Sequence, residues 1–175
     1  MKPLGLLLVL FLLSCGNEQT KETVAVVDEV TKEAVVTSKA FKTVDYNELE
    51  GYLAKSTAAI TVVNFWATWC KPCIKELPYF EEVEAKYDDQ NVDVILVSLD
   101  FPDQLERLEK FIVNLNLKSE VILLDDSDAN SWINKVDKSW SGAIPATIIY
   151  NENKKSFYER SFTFQELEKE IEKFK

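Results

Sequence analysis

The chain has no histidine. That removes Cys–His and Ser–His activation of a nucleophile, and it removes the commonest metal ligand. Positive charge is scarce too: 20 Lys and Arg face 30 Asp and Glu, for a net charge of −10. A surface of that sign repels phosphate backbones and anionic headgroups, which argues against nucleic-acid binding and against electrostatic docking on lipid. There is no internal repeat. The first apolar run, Leu4 to Leu13, is about half the roughly 20 residues a membrane-spanning helix needs.

What the chain does have is core-forming material. Its 175 residues are 46% hydrophobic, with ten Phe, six Tyr and four Trp. One domain of this size buries a core without a covalent staple, and the length leaves some sequence over.

The surplus lies at the N-terminus, "MKPLGLLLVLFLLSCGN". Lys2 and the apolar run fit the n- and h-regions of a secretory signal peptide. The run ends in "LLSC", which resembles the lipobox of bacterial lipoproteins. The resemblance implies cleavage after residue 14, a lipid on Cys15, and stable membrane attachment through several acyl chains. Residues 1–14 are therefore expected to be a lipoprotein signal peptide. Residues 15–40 are expected to be the lipidated cysteine and a flexible tether, since the segment is polar and lacks proline and aromatics. A protein so processed works outside the cytoplasm, where disulfides persist.

From residue 41 the texture changes to alternating strand and helix patterns. "AITVVNFW" and "VDVILVSLD" read as buried strands. "IKELPYFEEVEAKY" has Leu77, Phe80, Val83 or Glu84, and Tyr87 along one helical side, with Pro78 inside. Pro102 and Asp103 open a helix striped by Leu105, Leu108, Phe111, Ile112 and Leu115. "PATIIYN" and "KSFYERSF" form a hairpin. Thr163 and Glu166 form a capping box for a last helix. The order is β-α-β-α-β-α-β-α-β-β-α. It predicts an α/β domain over 41–175 with a mixed central sheet and helices on both faces.

The chemistry lies in "NFWATWCKPCIKELP". Cys70 stands at the start of a helix, where unpaired N–H groups and the helix dipole favour an anion such as a thiolate. Lys71 adds a nearby positive charge. Pro72 suits the first turn and stiffens it. Cys73 lies three residues on and shares the same face. A disulfide over so short a loop is a poor staple. A structural zinc needs about four ligands, and no further Cys or His pair exists to supply them. No metal is expected. A C-x-x-C on a strand-to-helix turn is the pattern of thiol–disulfide exchange, in which Cys70 attacks and Cys73 resolves.

"VVNFWATWCKPCIKELPYF" resembles the active-site segment of thioredoxin-fold proteins, above all the TlpA/ResA-like extracytoplasmic disulfide reductases. "WSGAIPATIIYN" resembles that family's proline loop. The resemblance implies a thioredoxin fold and a redox-active Cys70–Cys73 disulfide in place of a cofactor. It gives Cys70 the role of nucleophile and Cys73 that of resolving thiol. It implies that Trp69, Ile144 and a cis Pro145 bind substrate, and that Glu76 serves as an acid beneath the cysteines. Lys71 and Pro72 tune the potential. Asn64 stands where cytoplasmic thioredoxins hold a buried aspartate, which leaves Glu76 as the candidate proton carrier.

The function so implied is a periplasm-facing, membrane-anchored lipoprotein. It would reduce disulfides in exported proteins, apocytochrome c among them, and be re-reduced by a membrane thiol–disulfide donor. Two rivals stand beside it. One is a peroxiredoxin-like peroxidase, against which the sequence places no arginine near Cys70. The other is a non-enzymatic client-binding protein of the same fold. Trp140 has two readings, groove lining and core; the Asp103–Leu115 helix reads as ordinary packing.

Overall fold

The computed structural model describes residues 41–175. The expected signal peptide, Cys15 and the tether lie outside the described residues. Eleven strands and helices follow in the expected order: β1 (Lys42–Val44), α1 (Tyr46–Leu53), β2 (Ile60–Trp66), α2 (Lys71–Tyr87), β3 (Val92–Ser98), α3 (Leu105–Leu115), β4 (Glu120–Leu124), α4 (Ala129–Val136), β5 (Ala146–Tyr150), β6 (Lys155–Tyr158) and α5 (Phe164–Ile171). Among the described residues no helix is long and apolar enough to cross a membrane.

The strands form one sheet in the order β1-β4-β3-β2-β5-β6. Strands β1, β4, β3 and β2 run parallel to one another; β5 is antiparallel to both β2 and β6. All seven residues of β2 are buried, as a near-continuous apolar run requires when helices cover both faces. Alternate side chains feed opposite cores. Val62 and Trp66 join Leu77 and Phe80 of α2, Leu108 and Ile112 of α3, and Leu167 and Ile171 of α5. Val63 and Phe65 join Leu49 of α1 and Trp132 and Val136 of α4. The mixed sheet with helices on both faces is thus the observed architecture.

Helix α3 departs from its expected shape. A 3-10 turn, Pro102–Gln104, precedes it. Leu108 and Ile112 are buried, but Leu105 and Leu115 are 39% and 41% exposed. Burial follows where the sheet lies beneath the helix, which periodicity does not report. Pro78 lies inside α2 on its solvent side.

Helix α5 begins with the expected capping box: Thr163 accepts from the Glu166 N–H, and Glu166 accepts from the Thr163 N–H. Thr163→Ala should cost about 1 kcal/mol of stability, read as a lower urea midpoint with an unchanged m-value. An unchanged midpoint would mean the cap adds nothing to this helix.

The topology gathers three loops at one sheet end. Parallel strands β2 and β3 deliver their C-terminal ends side by side, with Trp66 opposite Ser98. Antiparallel β5 starts at the same end, with Ala146 opposite Phe65. The residues after Trp66, after Ser98 and before Ala146 therefore meet.

Candidate active site

The loop after β2 turns once before α2. Its turn is closed by the Cys70 N–H donating to the Ala67 carbonyl at 3.0 Å. Cys70 is the N-cap of α2 in extended backbone (φ −86, ψ 96), and its Sγ accepts from the Cys73 N–H at 3.3 Å. The sulfur thus occupies the place a serine or aspartate oxygen takes at an ordinary N-terminus. That environment favours negative charge on the Cys70 sulfur once the disulfide is reduced.

Cys70 and Cys73 are joined by a disulfide with Cα atoms 5.3 Å apart. Cys70 is 6% exposed and Cys73 is fully buried, so an incoming sulfur reaches Cys70 first. Lys71 and Pro72 are exposed on the first turn. Trp69 is 48% exposed. The Ile144–Pro145 bond is cis, and the Ile144 carbonyl oxygen lies 3.8 Å from the Cys70 Sγ. Cys70, Cys73, Trp69, Ile144 and Pro145 are therefore together at the sheet end where the loops meet.

Glu76 sits one turn beyond Cys73 and is 1% exposed. Its Oε1 accepts from Asn64 Nδ2 at 2.9 Å and its Oε2 from the Phe162 N–H at 2.7 Å. Burial pushes its pKa up to about 7, against the lowering effects of Phe162, Asn64 and Arg160. A carboxyl so placed changes charge near neutral pH, as a proton donor and acceptor should. Asn64 also donates to Thr147 Oγ1 at 3.2 Å. It ties the carboxylate to β5 two residues beyond Pro145.

Trp140 is core, not groove lining. It is 4% exposed and packs on Phe65, Trp132 and Phe157. Its Nε1 donates to the Ala143 carbonyl at 2.7 Å, so it braces the loop before Pro145 from inside.

Sequence reasoning missed three features. Asp100, 3% exposed, receives the Thr68 N–H and hydroxyl. Arg107 of α3 donates to the Thr68 carbonyl at 3.2 Å. An arginine is thus close to the active-site loop in space though distant in sequence, and α3 is more than packing. Phe101, the residue after Asp100, is 59% exposed, as few large apolar side chains here are. The run Ser98-Leu99-Asp100 held the one available clue: two polar residues directly after the apolar run 94–97.

Comparison with known proteins agrees with this geometry. A family model described as the AhpC/TSA family matches residues 27–155. The chain is 34% identical over 98 residues to the thiol-disulfide oxidoreductase ResA of Bacillus cereus (strain ZK / E33L), covering 54% of this chain and 51% of that protein. It is 28% identical over 115 residues to the protein of the same name from Geobacillus kaustophilus (strain HTA426), covering 65% and 62%. The chain thus spans about half to three-fifths of the length of these relatives. Its fold is similar to that of a thioredoxin-related protein from Neisseria meningitidis serogroup B, with TM-score 0.61, 19% identity, and coverage of 70% of this chain and 89% of that one. The fold is the thioredoxin fold.

Proposed function

This chain belongs to the AhpC/TSA family, and we propose that it works there as a TlpA/ResA-like thiol–disulfide oxidoreductase through the Cys70–Cys73 pair. The observation that carries the reading is Cys70 itself: it caps α2 with its sulfur on the Cys73 N–H, is bonded to Cys73, and faces Ile144 next to a cis proline.

The proposed cycle balances as follows. The Cys70 thiolate attacks one sulfur of a client disulfide, and the other client sulfur leaves as a thiolate. The Cys73 thiolate then attacks Cys70, which releases the second client thiolate and forms Cys70–Cys73. The client gains two electrons and the chain loses two. Glu76 takes the Cys73 proton in this direction and returns one when the pair is reduced. Trp69 and the Ile144–Pro145 backbone hold the client segment; Lys71 and Pro72 tune the potential. No further cofactor enters the cycle.

The clients proposed are disulfide-bearing exported proteins, apocytochrome c among them, with a membrane thiol–disulfide protein as electron donor. The supporting features are the "LLSC" segment at Leu12–Cys15 and the name shared by the relatives. On this reading residues 1–14 are a lipoprotein signal peptide, Cys15 carries the anchor, residues 15–40 are the tether, and the domain begins at residue 41, facing the periplasm.

A second reading has an observation in its favour. Arg107 and Thr68 stand beside the Cys70 turn, and a peroxidase of this fold would use such groups on a peroxide. Their hydrogen bonds join them to each other and to Asp100. The test is a pair of measurements on the reduced protein: equilibration with defined thiol buffers, and peroxide consumption. A two-electron potential near or below about −270 mV marks a reductant, with negligible peroxide turnover. A potential near about −120 mV would make it a disulfide donor. Rapid peroxide turnover would move it to the second reading.

A further inference from the structure

We infer that Asp100 and Arg107 clamp Thr68 from both sides and thereby position Cys70 on the first turn of α2. This rests on the proposed exchange role of Cys70 and adds positioning residues from the loop after β3 and from α3 to it.

Thr68 is held at every polar atom it has. Its N–H reaches both Asp100 oxygens, at 3.2 and 2.9 Å, and its hydroxyl donates to Asp100 Oδ1 at 2.6 Å. Arg107 Nη2 donates to its carbonyl oxygen at 3.2 Å. The carboxylate is fixed in turn: the Ser98 hydroxyl donates to Asp100 Oδ2 at 2.8 Å, and the Asp100 N–H donates back to Ser98 Oγ at 3.1 Å. Thr68, Ser98 and Asp100 are 3%, 0% and 3% exposed, so water does not compete and each lost bond leaves a buried polar group short of a partner.

Nothing in client chemistry needs these bonds, and a loop packed only for stability does not need two residues from two other segments on one threonine, one of them held in turn by Ser98. Their effect falls on Cys70. Thr68 follows Ala67, whose carbonyl accepts the Cys70 N–H at 3.0 Å, and the Cys70 sulfur sits 3.3 Å from the Cys73 N–H. A shift of Thr68 swings the sulfur away from that N–H. The thiolate then loses part of what the helix terminus supplies. Buried interactions that hold a reacting group act this way, without touching the substrate.

The test is iodoacetamide alkylation of Cys70 in the reduced full chain, followed across pH by mass of the Cys70 peptide. Thr68→Val removes one bond to Asp100 without a change of charge. It should move the alkylation midpoint to higher pH and slow the reaction at pH 7 about fivefold, the effect of one hydrogen bond of ordinary strength. Thr68→Ser should restore both. Arg107→Gln, at an exposed helix position, should move the midpoint the same way by less, and it carries the test alone if Thr68→Val does not fold. Wild-type profiles in the folded variants would overturn the clamp. Alkylation reads the thiolate whether or not a client exists, so a wild-type chain that alkylates normally but reduces no protein disulfide would fail the proposed function and leave the clamp standing.

Discussion

Replacing Cys70 with serine should abolish disulfide reduction, by at least about a thousandfold, while Cys73→Ser should stop turnover in a different way. A serine hydroxyl at position 70 would stay protonated at neutral pH even with the helix terminus behind it, so no first attack occurs. In Cys73→Ser the attack survives, because Cys70 is the less buried of the two and keeps the N–H that stabilises its thiolate. The resolving step is lost, and the chain should accumulate bonded to its client through Cys70. The check is non-reducing electrophoresis with mass spectrometry after incubation with a disulfide-bonded protein. A stable adduct in Cys73→Ser, cleaved by reductant and missing in Cys70→Ser, is expected. The reverse pattern would make Cys73 the attacking thiol and contradict its complete burial. Full client binding and protection in a chain lacking both cysteines would revive the non-enzymatic reading.

Glu76 should make the oxidised protein lose stability as pH rises. Burial raises its folded pKa from 4.5 to about 7. Below the unfolded value both states hold the proton, and its contribution is fully present. Between 4.5 and about 7 the unfolded chain releases the proton while the folded one keeps it, so stability falls with pH. Above about 7 both are ionised and the slope ends. The whole step is worth about 3 kcal/mol on the usual conversion of pKa to free energy. Glu76→Gln cannot ionise. The difference in unfolding free energy, wild type minus variant, should therefore decline by that amount from pH 4.5 to 7.5 in urea titrations. A difference independent of pH would mean that Glu76 stays ionised throughout and carries no proton for Cys73. In turnover, the same variant should lose the rate inflection near pH 7 and slow the step that moves a proton at Cys73, on the order of a hundredfold.

Local signals in the sequence determined much of this protein. The strand and helix order follows from periodicity and apolar runs, which depend on neighbours three or four residues apart. Cys70 at a helix start, Cys73 one turn on and the Thr163–Glu166 box are all spacings within one element, and short-range geometry suffices to place them. The partnership of Pro145 with Cys70 came from family resemblance, because no local rule joins residues so far apart.

Tertiary structure alone decided the rest. Whether Glu76 is a surface charge or a buried acid depends on β2 and on the Phe162 backbone lying over it, and neither is near it in the chain. Trp140 is core because β2, α4 and β6 close around it. Arg107 and Asp100 reach Thr68 because parallel strands bring successive crossover loops to the same sheet end. Hydrogen bonds to a buried group depend on atoms within about 3 Å, and a chain that folds back on itself sets those distances through topology rather than through sequence spacing.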